Sequence, residues 1–177
     1  MEQAKTVFAS IISRYQDPDG DLGISDEGWE IAAKFLGNAH NIADGEDAVG
    51  SVIDGTYPMD EHWASGVLTE QKDRDYKFQI MTPDIGEPYV VESLAISAGT
   101  KKYDTCVAFL NWLGSSDVQL DWSNNYGTIP CQKEALDQVS DDIKELMETL
   151  KPQDLDWSFI AENVDAWVEK AELEYVQ

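Results

Sequence analysis

Tyr89-Val90-Val91-Glu92-Ser93-Leu94-Ala95-Ile96-Ser97-Ala98-Gly99-Thr100-Lys101 is the stretch whose reading decides the fold. Val90, Val91, Leu94, Ala95 and Ile96 form a nearly continuous apolar run, broken by Glu92 and Ser93, as expected of a strand buried on both faces of a mainly parallel sheet. Such a strand needs helices over both faces. After the Gly99 turn, Cys106, Phe109, Leu110 and Leu113 fall at i, i+3, i+4 and i+7, which predicts an apolar helix stripe packing back onto the sheet. Gly114 ends that helix, and Ser115 or Ser116 caps the next. The fold class is therefore α/β, with a central mixed or parallel sheet flanked by helices on both faces.

Upstream, Val7, Phe8, Ile11, Ile12 and Tyr15 predict an amphipathic first helix with no strand before it, as if the chain starts in mid-fold. A second helix carries Trp29, Ala32, Ala33 and Leu36. Residues 43–54 read as a short helix closed by Gly55, and 56–63 as a short strand ending in Asp60, Glu61, His62 and Trp63. The carboxyl end of a strand is where open α/β sheets bind ligands. A polar helix follows over 65–73, then a half-exposed strand in which Tyr76, Phe78 and Ile80 alternate with Lys77 and Gln79. Beyond Pro130, Val139, Ile143, Leu146, Met147 and Leu150 form a helix that ends before Pro152. A last helix spaces Trp157, Ile160, Ala161, Val164, Trp167, Val168 and Ala171, its tryptophans read as core.

In the 177 residues, 35 acidic side chains face 12 basic ones, for a formal charge of −23. That balance excludes nucleic acid as a partner, because nothing neutralises a phosphate backbone, and it excludes anionic membrane surfaces for the same reason. No apolar run approaches the roughly 18 residues of a membrane span. Met1 to Lys5 is not a secretory signal, so no signal peptide is expected in this chain. Cys106 and Cys131 permit a disulfide without implying it, and Cys106 on the apolar stripe reads as a buried free thiol.

Catalytic patterns are not found. There is no Gly-x-Ser-x-Gly elbow, phosphate-cradling glycine loop, Cys-x-x-Cys pair or His-Glu-x-x-His helix, and His40 and His62 lie in no nucleophile motif. No catalytic residues, cofactor or metal ligands are assigned. The most metal-like string runs from Asp17 to Glu27. Asp17, Asp19, Asp21 and Ile24 fit a calcium loop, but Leu22 stands at its glycine position and Gly28 at its bidentate glutamate position. The competing reading is an acidic turn in which Ser25 caps the next helix, with Asp26 and Glu27 at its positive end.

Taken together, Pro83-Asp84-Ile85-Gly86, Tyr89 to Lys101, Phe109-Leu110-Asn111-Trp112-Leu113, Ser115-Ser116-Asp117 with Gln119, and Tyr126-Gly127-Thr128-Ile129-Pro130 resemble the later part of an extracellular solute-binding protein. The family is the two-lobed periplasmic binding proteins of ABC importers, in the branch that includes iron(III) and polyamine binders. Gly28-Trp29-Glu30, residues 51–58, Asp156-Trp157 and Trp167-Val168-Glu169-Lys170 extend the likeness over nearly the whole chain. The resemblance implies a non-catalytic, periplasmic or extracellular parent protein that holds a small solute in a cleft between lobes and delivers it to an ABC permease. It implies a periplasmic-binding-protein-like lobe, incomplete relative to the two-lobed family: 1–87 as a second-lobe segment, 88–131 as a hinge crossing and first-lobe fragment, and 132–177 as helices returning to the second lobe. Carried over by position, Asp60, His62, Trp63, Tyr89, Glu92, Ser93, Tyr126 and Thr128 face the solute. Relatives usually carry a small residue where Asp60 stands, and an Asp60-Glu61 pair repels an anion. Two alternatives stay open: a lobe that self-associates as a homodimer or scaffold through an uncovered surface, and a calcium-binding domain using Asp17 to Glu27.

Overall fold

In a computed structural model, residues 3–176 are described. Among them the chain forms α1 (Gln3–Ile12), β1 (Gln16–Asp21), α2 (Asp26–Gly37), α3 (Ala48–Ile53), α4 (Ala64–Arg74), α5 (Tyr103–Leu113), α6 (Ser116–Tyr126), α7 (Lys133–Leu136), α8 (Asp141–Thr149) and α9 (Trp157–Glu174). They divide into two compact units, one of Met1–Glu61 with Gln153–Gln177 and the other of His62–Pro152.

The first unit closes around aromatic and aliphatic side chains that α1, α2 and α9 present at helical spacing. Phe8, Ala9 and Ile12 of α1, Ile24 of the turn before α2, Trp29 and Ala32 of α2, and Ile160, Trp167 and Ala171 of α9 form one buried cluster. Trp167 is fully buried, and its indole N–H donates to the Leu22 carbonyl at 2.9 Å. That bond pins a tight turn. Leu22 and Gly23 both have positive φ, 51° and 76°, between β1 and Ile24, which pairs antiparallel with Gln16 and Asp21. A branched side chain at positive φ is strained by about 1 to 2 kcal/mol. Leu22→Asn is therefore expected to stabilise the unit by up to about 1 kcal/mol, measured as a higher denaturant midpoint at unchanged slope. Lys170 of α9 locks the same turn to the helices. Its ammonium meets Glu174 at 2.7 Å and Asp21 at 3.1 Å and lies over the Trp29 ring at 5.0 Å. The Glu174 hydrogen bond, with a smaller contribution from Asp21, holds its pKa above the usual lysine value.

The Asp17 to Glu27 string is consumed by this turn. Asp17 Oδ1 accepts from the Asp19 amide, the Asp21 carbonyl accepts from the Trp29 indole at 3.0 Å, and the Asp21 carboxylate faces Lys170. Ser25 caps α2 by accepting from the Gly28 amide, with Asp26 and Glu27 in the first turn, as the acidic-turn reading expects. Among the described residues no group of three or more His, Cys, Asp or Glu side chains could hold a metal ion. The hydrogen bonds of this turn favour the acidic-turn reading over a calcium loop.

In the second unit, Ala135, Val139, Ile143 and Leu146 carry the buried apolar face of α7, α8 and the turn between them. Glu87 ties two distant segments together: its amide donates to the Lys151 carbonyl at 2.8 Å, and its carboxylate accepts from the Lys151 amide at 3.0 Å.

The helices appear where the periodicity places them, with α7 in addition. The expected sheet does not. Among the described residues the one strand is β1, and Tyr89–Ser97, Thr56–Trp63 and Tyr76–Ile80 carry no strand pairing. Val91 and Leu94 are 69% and 57% exposed, so the stretch read as doubly buried has neither a neighbouring strand nor a covering layer among these residues. A turn after α3 takes up the first of these residues instead, with the Thr56 amide on the Asp54 carboxylate and the Tyr57 amide on the Ser51 carbonyl, and 59–63 are irregular. Phe78 gives its amide to the Gln71 side chain rather than to a sheet. Trp157, expected in the core, opens α9 in an exposed position, and Cys106 is a half-buried free thiol. No helix among the described residues is long and apolar enough to cross a membrane.

Candidate functional site

Four of the eight residues singled out from the sequence lie at neighbouring helix ends in the second unit. Trp63 stands at the N-cap of α4, with its carbonyl accepting from the Val67 amide, and His62 precedes it. The His62 ring lies over the first turn of α4, where Gly66 leaves it room: a β-carbon at that glycine would come within 2.5 Å of Nε2. Tyr126 is the last residue of α6, and Thr128 follows the Gly127 cap. Gly127, at φ +68°, rests directly on the Ser65 carbonyl of α4, so that a β-carbon there would sit 2.6 Å from that oxygen. The start of α4 and the end of α6 are thereby held against each other, with His62 and Trp63 at the first of these ends and Tyr126 and Thr128 at the second.

Trp122, which sequence reading did not single out, belongs to the α6 end. It lies one turn before Tyr126 on α6, and the two rings tilt against each other with centroids 5.8 Å apart. The i, i+4 aromatic spacing is the signal that could have found it. Trp63, Trp122 and Tyr126 are all exposed.

The other candidates are placed differently. Tyr89 is half-buried, and its hydroxyl pKa is raised, first by burial and then by the charge of Glu87. Glu92 and Ser93 are exposed on the unpaired 89–97 segment. Asp60 lies in the first unit, next to Glu61, whose carboxyl is pushed up by burial and further by the Asp60 charge. With no strand formed over 56–63, the reason for placing Asp60, His62 and Trp63 at a strand's carboxyl end falls away. The N-terminal end of α4 positions His62 and Trp63 instead.

A second cluster sits in the first unit. Glu46 Oε1 accepts from the Tyr57 hydroxyl at 2.9 Å and pairs with His40 Nε2 at 3.0 Å, while Oε2 accepts from the Ala43 amide. The His40 and Tyr57 rings stack at 4.9 Å. The Ala43 hydrogen bond, followed by those of His40 and Tyr57, holds the Glu46 carboxyl below its ordinary 4.5. A carboxyl with a depressed folded pKa contributes stability that is complete above the unfolded value and lost as pH falls through the folded one. The 38–47 segment is therefore expected to loosen as pH falls below 4.5, seen as faster hydrogen exchange at the Ala43 amide, and Glu46→Gln is expected to abolish that pH dependence.

The chain belongs to the bacterial extracellular solute-binding protein family, whose model matches residues 3–151. It is also 32% identical over 176 residues to a probable ABC transporter periplasmic-binding protein, y4fP, of Sinorhizobium fredii (strain NBRC 101917 / NGR234). That match takes in 99% of this chain and 49% of the relative, so the chain spans about half the length of the curated relative it matches. No solved structure matches the chain significantly.

Proposed function

We propose that the chain is a solute-binding component of an ABC transporter, or one lobe of it, that holds a small solute without transforming it and works with a membrane permease. The observation that carries this reading is the family match, which runs through the start of α4 and the end of α6. The name of the Sinorhizobium relative supports an ABC importer and a periplasmic parent protein. Within the family we assign the chain to the branch of iron(III) and polyamine binders, with 1–87 and 132–177 in the second lobe and 88–131 as hinge crossing and first-lobe fragment. On this reading Tyr89, Glu92 and Ser93 line the cleft of the two-lobed parent. The exposed 89–97 segment then finds its sheet neighbours in sequence of the kind the relative carries beyond the match. Thermal melts with spermidine, ferric citrate, methylphosphonate and maltose in large excess test the reading, because a ligand that binds the folded state must raise the midpoint. One lobe keeps only part of a closed site's contacts, so dissociation constants on the order of millimolar are expected. A flat response to all four probes at saturating concentration contradicts it.

Exposed Val91, Leu94 and Phe109 favour a second reading, self-association through that apolar face. Sedimentation at rising concentration separates the two, since a monomer throughout removes the dimer.

A further inference from the structure

We propose that His40, Glu46 and Tyr57 form a proton-operated clasp, which fastens the 38–47 segment to the turn after α3 most firmly when the imidazole is charged. The Glu46 carboxylate is its hub. The Ala43 carbonyl accepts from the Glu46 amide at 3.0 Å in a tight turn that Gly45 closes at φ +84°, and this folds the carboxylate back onto the Ala43 amide. From there Oε1 reaches the Tyr57 hydroxyl beyond α3, and both oxygens lie within 3.1 Å of His40 Nε2. One side chain thus gathers partners from positions 40, 43 and 57.

Two contacts of the His40 ring improve with a proton. A neutral imidazole donates to the carboxylate as an ordinary hydrogen bond, whereas an imidazolium makes it charge-assisted and roughly twice as strong. The same ring stacks on Tyr57 with centroids 4.9 Å apart and planes at 28°, and an aromatic face attracts a cation within about 6 Å. The sequence leaves this role to His40. Residues 35–61 contain no Lys or Arg and no second histidine, while they carry Asp44, Glu46, Asp47, Asp54, Asp60 and Glu61. At the two ends of α3, Asp47 accepts from the Gly50 amide and Asp54 from the Thr56 amide, so these carboxylates already hold backbone donors of their own elements. The Tyr57 hydroxyl, bonded to Glu46, stays protonated beyond the ordinary tyrosine range and remains a donor throughout. Where the closed form favours the charged imidazole, its added stability is present at low pH and fades as pH rises through the range in which histidines lose their proton, about 5 to 8. The clasp therefore has two limits: loss of the carboxylate charge opens it on the acid side, and loss of the imidazole charge loosens it on the alkaline side.

Hydrogen exchange at the Ala43 amide, divided by the rate of an unstructured peptide and followed from about pH 5 to 9, tests the alkaline limit. Protection is expected to fall about threefold across that range, the scale of an exposed ion pair. The Thr56 amide, bonded to Asp54 rather than to the clasp, is expected to show no such step. His40→Gln keeps a hydrogen-bonding side chain with no proton to gain and should flatten the Ala43 profile. Tyr57→Phe keeps the ring and deletes the hydroxyl, so it should lower protection at every pH and retain the step. A flat profile in the unsubstituted chain overturns the proposal, as does a step that His40→Gln leaves in place. An equal step at Thr56 also overturns it, because the proton would then be loosening the whole region rather than the clasp.

Discussion

Trp167→Ala is expected to cost the first unit about 3 to 5 kcal/mol, the range for removing a fully buried large aromatic side chain. Two losses combine. The indole leaves a cavity among the α1, α2 and α9 side chains that close around it, including Phe159, whose ring lies 5.3 Å from it at 59°. Its N–H also leaves the Leu22 carbonyl without a donor, at the residue whose backbone is held at positive φ. A domain's whole stability is about 5 to 15 kcal/mol, so this single truncation removes a large share of it. Thermal and denaturant unfolding should show a midpoint lower by about 10 °C, at 2 to 4 °C per kcal/mol for a chain of this size. Trp167→Phe separates the losses: it keeps most of the packing and deletes the N–H, and should cost about 1 to 2 kcal/mol. If the phenylalanine variant is as unstable as the alanine one, the indole hydrogen bond rather than the core is what holds the turn.

The second large effect is expected at Gly127. Alanine there meets two penalties, a left-handed backbone at φ +68° and a β-carbon 2.6 Å from the Ser65 carbonyl and 3.3 Å from Leu68. The first costs about 1 kcal/mol and the forced separation about 1 to 3 more. Gly55 provides the control, because its φ is +81° with nothing within 4 Å of the added carbon. Gly55→Ala should therefore cost only the conformational part, about 1 kcal/mol. The structural consequence is specific to Gly127: the end of α6, which carries Trp122 and Tyr126, must move off the first turns of α4. The unfolding midpoint should fall further in Gly127→Ala than in Gly55→Ala.

How much of this was legible in the sequence follows from how local each signal is. Helices carry their pattern within themselves: Trp29 and Ala32, or Ile160, Trp167 and Ala171, fall on one face whatever surrounds them. Their ends were equally readable from Ser25 before α2 and Gly114 after α5. A strand is different, because its stability lies in its neighbours. Tyr89–Ser97 has the composition of a doubly buried strand, yet its partners would have to come from elsewhere, and among the described residues none does. The stretch over 56–63 failed for a nearer reason, since Asp54 and Ser51 capture its first amides as a turn. The resemblance singled out His62, Trp63, Tyr126 and Thr128, whereas the contact between the two helix ends that carry them was invisible in one dimension. It depends on Gly127 lying against the Ser65 carbonyl, some sixty residues earlier. The cluster of His40, Glu46 and Tyr57 was missed because its members share no period and meet only through the loop.

The most direct test of the central claim is the indole N–H spectrum of the chain during titration with spermidine, methylphosphonate and maltose. The six tryptophans report different places: Trp29 and Trp167 the first unit's core, Trp112 and Trp157 other exposed positions, and Trp63 and Trp122 the start of α4 and the end of α6. A solute that binds at these helix ends should shift the Trp63 and Trp122 resonances in a saturable way and leave Trp29 and Trp167 in place. Saturable shifts confined to other indoles, or none with any probe, would contradict it.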